Sequence, residues 1–485
     1  MVLIANYNYY SGNIPVIVKI EKNENEFVAT YTVSVVAISE NTEILLSKIR
    51  DELISKIGIK LEDVTDPKKT EYVREKFKDT VNYLLSRYLP DIGEKTKDFL
   101  TTYLMQKSLG LGKIELLLGD INLEEIVINN AADPLWVYHH KYGWLKTNIF
   151  LKDEEEIKHF AALIGRRIGR SITLLTPLLD AHLETGERIN ATLSPISTKG
   201  NTLTFRKFNV KPITITNMLQ ERTISLPAAS LIWAGVEYEL STLVTGGTAT
   251  GKTVVLNMLC SFFPPNQRII SVEDTRELVL PKYLHWIPMV TREPNVEGKG
   301  EITMLDLIVN SLRMRPDRIV VGEIRRQREA ETLFEAMHTG HSVFATLHAN
   351  DTEETINRLT NPPINVPKTS LPAISMMIIM YRNRRTGIRR VFQVSEILKD
   401  ARAKVLMQYD LRQDKISTIA KSERLMPELE IQTGFTEQEI NQDLSEKSAI
   451  LTWLVKKNMD GVDDIGRTVA TYYTNKDVLL NLIRK

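Results

Sequence analysis

Apolar and polar residues alternate in "IPVIVKI" (14–20) and again in "FVATYTVSVVAI" (27–38), with the polar "EKNENE" between them. A period of two marks strands with one buried face, so the first forty residues are predicted to form a hairpin. From Asn41 to Gly110 the period changes. "NTEILLSKIRDELISKIG", "YVREKFKDTVNYLLSRYL" and "KTKDFLTTYLMQKSLG" each space apolar residues three and four apart, which predicts three packed helices. Between 111 and 208 the pattern is mixed: strands in "EEIVINN", "LWVYHH", "RINATLSP" and "NTLTFRKF", and a helix in "EEIKHFAALIGRRIG". "NVKPITITNML" carries a proline and no helical period, and reads as a linker. Beyond Leu226, "LPAASLIWAGVEYE" is helical, "STLVTGG" is an apolar run, and strands then alternate with helices to about residue 400. Such alternation implies a parallel sheet covered by helices. The tail from about 401 reads as mostly helical, with Thr436 and Glu439 as a capping box. The expected organisation is a hairpin and three-helix region over 1–110, a smaller α/β domain over 111–208, a linker over 209–218, and a larger α/β domain with a helical tail over 219–485.

With 485 residues the chain exceeds what one core fills, which agrees with several domains. Basic and acidic residues nearly balance, 62 against 61, and a net charge of +1 argues against a dedicated nucleic-acid binder. A single cysteine, Cys260, excludes an intramolecular disulfide and any cysteine-rich zinc module, and fits a reducing compartment. The apolar stretch "LPAISMMIIMY" (371–381) is too short to cross a bilayer, so a cytoplasmic protein that meets a membrane only through a partner is expected.

Chemistry concentrates in "GGTATGKT", Gly246 to Thr253, between the strand-like run and the helix-like "VVLNMLCSFF". This is the G-x-x-x-x-G-K-[ST] pattern in the context it requires. Gly246, Gly247, Thr248, Ala249, Thr250, Gly251, Lys252, Thr253 and Val254 are the expected nucleotide-binding residues. Glycines let backbone N–H groups face phosphate oxygens, and the following helix turns its positive end to them. Lys252 would reach the β- and γ-phosphates, and the Thr253 hydroxyl would ligate Mg²⁺; ATP and Mg²⁺ are the cofactors implied. Two apolar runs end in carboxylates, "RIISVEDTREL" at Glu273 and Asp274, and "DRIVVGEIR" at Glu323, where Gly322 stands at the usual aspartate position. Either could position Mg²⁺ or water; a strand-end surface acid is the lesser reading of each alone, and two such acids after apolar strands make coincidence less expected.

Taken in order, "GGTATGKT", "VEDTREL", "LRMRPDRIVVGEIR" and "TGHSVFATLHAND" resemble the Walker A, Asp box, atypical Walker B and His box of the secretion ATPase superfamily. That family powers type II and type IV secretion, type IV pili and the archaeal flagellum. "TPLLDAHLETGERINATLSPIS" and "TLTFRKF" resemble its N-terminal domain, so the likeness covers roughly 111–400. The resemblance implies a RecA-like P-loop ATPase domain behind a smaller α/β domain, and a homohexamer acting on a polytopic membrane platform protein. It implies Glu273 and Glu323 as the two acids that could prepare water for attack, with Glu273 favoured for that task and Glu323 for a γ-phosphate or Mg²⁺-side contact, the latter direct or through water. N-domain arginines closing over the nucleotide would be Arg188 and Arg206. The lack of a four-cysteine insertion, with "LRMRPDR" and the helical tail, resembles the archaeal pilus or archaellum branch. Two other classes stay open: a RecA-like DNA or RNA motor, including a DNA-transport ATPase, and a nucleotide-binding ring with little turnover.

"MHTGHSVFATLHAND" places His338, His341 and His348 within eleven residues, which first suggests a metal site. Gly340 interrupts the helix after His338, and "SVFATLH" reads as a buried strand. His341 and His348 would then lie roughly 23 Å apart, too far to share an ion. His348, at the carboxyl end of the strand, is expected at the nucleotide, with Thr346 beside it to sense the γ-phosphate. His341 is expected at a subunit contact, and His338 in ordinary packing.

Overall fold

In the computed structural model the described residues are 2–24, 26–35, 40–56, 70–183, 186–207, 212–294 and 298–484. They form two compact units, one from Met1–Val210 and the other from Lys211–Pro294 with Gly298–Lys485.

In the first unit Ile14, Val16, Val18 and Ile20 are all buried on one face of a strand, as their alternation predicts. This strand, β2 (Ile14–Lys22), pairs antiparallel with β3 (Thr30–Val35), which is the expected hairpin. A further strand precedes it: β1 (Val2–Ser11) pairs antiparallel with β2. Its sequence, "VLIANYNYYS", sets asparagines among tyrosines, so no apolar period announced it. The remaining strands are β4 (Leu123–Ile128), β5 (Trp136–His139), β6 (Gly143–Thr147), β7 (Leu178–His182), β8 (Arg188–Thr192) and β9 (Thr202–Arg206). The sheet runs β1-β2-β3-β6-β5-β4-β9-β8-β7, so the division expected at residue 110 falls inside one sheet. Asp120 fixes that join. It is fully buried and accepts hydrogen bonds from Tyr7 Oη at 2.5 Å and Tyr31 Oη at 2.7 Å, tying β1 and β3 to the turn before β4. The three expected helices are present as Glu40–Lys56, Thr70–Tyr88 and Glu94–Leu109, around a core that includes Leu46, Ile49, Val81, Leu84 and Leu104. Helix Glu154–Arg167 starts where the Asp153 carboxylate accepts the Glu156 N–H at 2.9 Å.

The second unit begins earlier than the expected linker allows. Residues Ile215–Gln220 form a helix whose Ile215 and Met218 are buried in the core. Six residues are too few to show a helical period; the Asn217 side chain accepting the Thr214 N–H at 3.1 Å starts the helix instead. The strands are β10 (Thr242–Gly246), β11 (Arg268–Glu273), β12 (His285–Val290), β13 (Arg318–Val321), β14 (Ser342–Leu347), β15 (Met376–Arg382), β16 (Arg389–Ile397), β17 (Ala403–Asp410) and β18 (Lys415–Thr418). Their order is β12-β11-β13-β14-β10-β15-β16-β17-β18, parallel from β12 to β15 and antiparallel from there on. Neighbours along a strand enter opposite cores: Val244 and Phe344 one, Leu243, Val343 and Ala345 the other. Burial on both faces explains why these strands read as unbroken apolar runs. The tail is mostly helical as expected, with helices from Leu425–Thr433 onward, but it opens with two strands the sequence reading did not mark, β17 and β18, which extend the sheet. Helix Glu437–Lys456 opens at the predicted Thr436 cap and packs on helix Leu226–Glu237. Between them Lys447 is fully buried, paired with Asp443 and with Glu237 at 2.7 Å, its ammonium 5.0 Å from the Tyr472 ring centre. No helix among the described residues is long and apolar enough to cross a membrane.

Candidate functional site

β13, β14 and β10 are adjacent and parallel, so the segments following them emerge side by side at one sheet edge, where ligands of open α/β sheets gather. The loop after β10 is Gly246 to Gly251, and helix Lys252–Cys260 follows. Gly246 and Gly251 have φ of 155° and 96°, and Ala249 also lies in the left-handed region at 58°. A Cβ on Gly246 would come within 2.8 Å of the Met380 carbonyl, and one on Gly247 within 2.9 Å of Asn350 Oδ1. Gly246 is therefore required both by its φ and by the fixed Met380 carbonyl, whereas at Gly247 only the movable Asn350 side chain stands in the way. Thr250 Oγ1 closes the loop by donating to the Gly247 carbonyl at 2.9 Å. Thr248 lines an adjacent cleft, while the Val254 side chain packs on the core and leaves only its backbone for the site.

Lys252 Nζ donates to the carbonyls of Gly246 at 3.0 Å and Gly247 at 3.1 Å, and lies 3.1 Å from His348 Nδ1. His348 Nε2 in turn lies 2.7 Å from Glu323 Oε1. That contact lacks hydrogen-bond alignment, so Glu323 Oε1 is buried without a donor. Glu323 Oε2 accepts from Arg325 Nε at 2.8 Å, and Arg325 reaches on to Asp274. The result is a chain of polar contacts from Lys252 through His348, Glu323 and Arg325 to Asp274, assembled from four strand ends. Burial lowers the pKa of Lys252, against the charges of Glu323 and Glu277. Burial, then the Lys252 charge, lowers that of His348, so the ring is neutral at pH 7, with Nδ1 accepting from Lys252.

Glu273 does not face this network. It is 2% exposed, and its Oε1 accepts the backbone N–H groups of Glu277 at 2.9 Å and Leu278 at 3.0 Å. Burial pushes its pKa up to about 7, against those two hydrogen bonds. Geometrically it holds the turn that carries Glu277, which is exposed and acts on Lys252. Glu277 is an acid the sequence reading missed; its only signal was being the third carboxylate in "VEDTREL". Arg325 was missed as well, having no mark beyond following Glu323 in "GEIR".

Thr346 does not face the loop either: it is buried, and its hydroxyl donates to the Gly322 carbonyl at 2.5 Å, fastening β14 to the end of β13. His341 lies at the opposite end of β14 from His348, its Nδ1 3.2 Å from the Ala336 carbonyl. His338 is exposed as the last residue of helix Gln327–His338, so the packing role expected for it is not what the structure holds.

Arg188 and Arg206 belong to the first unit, where they are register partners on β8 and β9. Arg188 forks onto Asp180, Nη2 to Oδ2 at 2.7 Å and Nε to Oδ1 at 3.2 Å, and Arg206 lies opposite Glu125. Both are exposed.

Among the described residues no group of three or more His, Cys, Asp or Glu side chains could cage a metal. A hydroxyl at Thr253 and the donor-free Oε1 of Glu323 fit Mg²⁺, which takes few protein ligands and completes its shell with phosphate and water.

Residues 147–385 match the family model described as type II/IV secretion system protein. A Methanocaldococcus jannaschii protein, MJ0900, is 38% identical over 299 residues, covering 61% of this chain and 54% of its own length, so the chain spans about half of that relative. A putative conjugal transfer protein of Mycobacterium tuberculosis, MT3759, is 32% identical over 310 residues, covering 61% of this chain and 86% of that protein. The solved structure of the Legionella pneumophila ATPase DotB is 18% identical, covering 77% of this chain and 95% of that one at a TM-score of 0.44. The fold class expected from the sequence is the one observed, a mostly parallel sheet flanked by helices behind a smaller α/β unit. The chain belongs to the type II/IV secretion system protein family.

Proposed function

We propose that this protein is a Mg²⁺-dependent ATPase whose turnover drives a membrane-embedded secretion or filament-assembly machine. The observation that carries this reading is the convergence of Lys252, His348 and Glu323 at the ends of three adjacent parallel strands. Phosphate oxygens would replace the two carbonyls that Lys252 now contacts, with N–H groups from Gly247 to Val254 around them. Thr253 and Glu323 would hold Mg²⁺, which supplies charge neutralisation between the β- and γ-phosphates. Of the two Asp-box glutamates, Glu277 takes the water-orienting place first assigned to Glu273, because it is exposed and its charge acts on Lys252; Glu273 positions it. His348 links the lysine to Glu323 and so couples the phosphate end to the acid.

A homohexamer acting on a polytopic platform protein at the inner face of the cell membrane, in a pilus, archaellum or secretion system, fits the family membership and the four motifs in order. A DNA-transport role is the second reading, favoured by the likeness to a putative conjugal transfer protein. The net charge of +1 favours the first, since no nucleic acid is then expected. Lys252→Ala should abolish steady-state phosphate release from ATP while leaving the circular dichroism spectrum unchanged. Undiminished release by the folded variant would refute the assignment. Stimulation of turnover by DNA but by no membrane protein partner would move the protein to the second reading.

A further inference from the structure

Beside the loop lies a cleft of about 400 Å³ whose walls include Gly247, Thr248, His348, Asn350, Arg358 and Arg384. Of its lining residues only Ala349 carries an apolar side chain, and the rest are polar or charged or glycine. Its chemistry suits a small anion. Glu354, the one acid in its wall, is already engaged: Oε2 accepts the N–H of Asn350 at 2.8 Å and its Nδ2 at 2.9 Å, and Oε1 accepts Arg358 Nε at 3.2 Å. That last bond orients Arg358 and leaves its two terminal nitrogens for a second acceptor.

Arg384 has neither an ion pair nor a hydrogen-bond partner among the described residues. Its position is nevertheless defined. It stands in the tight turn joining β15 to β16, where Asn383 Oδ1 accepts the N–H groups of Arg385 at 2.9 Å and Thr386 at 3.2 Å, and Gly387 N–H returns to the Asn383 carbonyl at 2.8 Å. From the same hairpin Arg389 Nε donates to the Ala249 carbonyl at 3.2 Å, pinning the hairpin to the phosphate loop. The turn thus fixes the Arg384 backbone beside a polar cleft that Gly247, Thr248 and His348 also line, and its guanidinium has no partner among the described residues.

We infer that Arg384, with Arg358 opposite, contacts the terminal phosphate of a bound nucleoside triphosphate, so that this cleft distinguishes the triphosphate from the diphosphate. The inference rests on the nucleotide reading of the loop and adds a specificity determinant to it. Two planar forks can share the oxygens of one phosphate group, which a diphosphate seated in the same loop would not present to them.

The test compares binding of AMP-PNP and ADP, both with Mg²⁺, to the full chain and to Arg384→Ala, Arg384→Lys, Arg358→Ala and Lys252→Ala by calorimetry. Arg384→Ala should weaken AMP-PNP about tenfold and shift ADP by less than about twofold, the range of one charge-assisted hydrogen bond. Arg384→Lys should recover part of the loss, having the charge without the fork. Arg358→Ala should act in the same direction. Equal losses for both nucleotides, or none, would overturn the inference, as would a change in assembly size on sedimentation with an unaltered nucleotide ratio, which would assign Arg384 to a carboxylate of a second copy. If Lys252→Ala binds both nucleotides like the unaltered chain, the loop reading itself fails. If it loses both while the Arg384 variants keep the original ratio, only the inference about the cleft fails.

Discussion

The two nine-stranded sheets of this molecule use buried charge in opposite ways. In the first, Asp120 lies at a join between strands and is saturated by two tyrosine hydroxyls, the Asn122 N–H and the Asn122 side chain. In the second, Glu323 lies at a strand end with one oxygen still lacking a donor, between a histidine and an arginine. A saturated carboxylate has no bonding capacity left and can only hold structure. An incompletely satisfied one, beside a lysine and a glycine loop, is available to a metal or a phosphate. Sheet direction underlies the contrast. In a parallel sheet the carboxyl ends of neighbouring strands meet at one edge, so residues far apart in sequence converge; in antiparallel strands they alternate between edges.

The largest effect that would break this comparison is on chemistry. Glu277→Gln should reduce turnover by about a thousandfold with AMP-PNP affinity retained, the scale of a lost proton-accepting group. Normal turnover in single-turnover phosphate release would return Glu273 or Glu323 to that role. Next, Asp120→Ala in the first sheet should lower unfolding free energy by about 3 kcal/mol in urea titration, because two buried tyrosine hydroxyls lose a charged acceptor. A loss below about 1 kcal/mol would show that Asp120 is not the join.

The smallest effect concerns Glu273 and pH. Its folded-state pKa of about 7 lies above the ordinary 4.5, so the folded protein keeps a proton that the unfolded chain has released. Stability should therefore fall as pH rises from about 4.5 to about 7 and level off above, by on the order of 3 kcal/mol from this group. Glu273→Gln keeps an oxygen for the N–H groups of Glu277 and Leu278, and should flatten that fall. Thermal unfolding of both proteins between pH 5 and pH 8 measures it, and parallel profiles would refute the buried acid.

The motif-bearing half was the more legible. Strands buried on both faces declare themselves as apolar runs, and the loop, the Asp-box strand and the His-box strand all lie where "STLVTGG", "RIISVE" and "SVFATL" indicate. Legibility failed where a strand depends on its partners. β1 is polar enough to hide its period, and β17 becomes a strand by pairing with β16 and β18. Direction of side chains failed in the same manner: Glu273 and Thr346 occupy motif positions yet turn into the protein, while Arg325, from an unmarked position, joins Glu323 to Asp274.

The sequence by itself determined the parallel sheet, the phosphate loop and which strand ends would bear carboxylates and a histidine, because these follow from local periodicity and from glycines at fixed spacing. Only the tertiary structure decided which of those groups meet. Contacts such as Lys252 to His348 or Arg325 to Asp274 join residues 96 and 51 positions apart. Such pairings depend on strand order and burial, which no local pattern encodes.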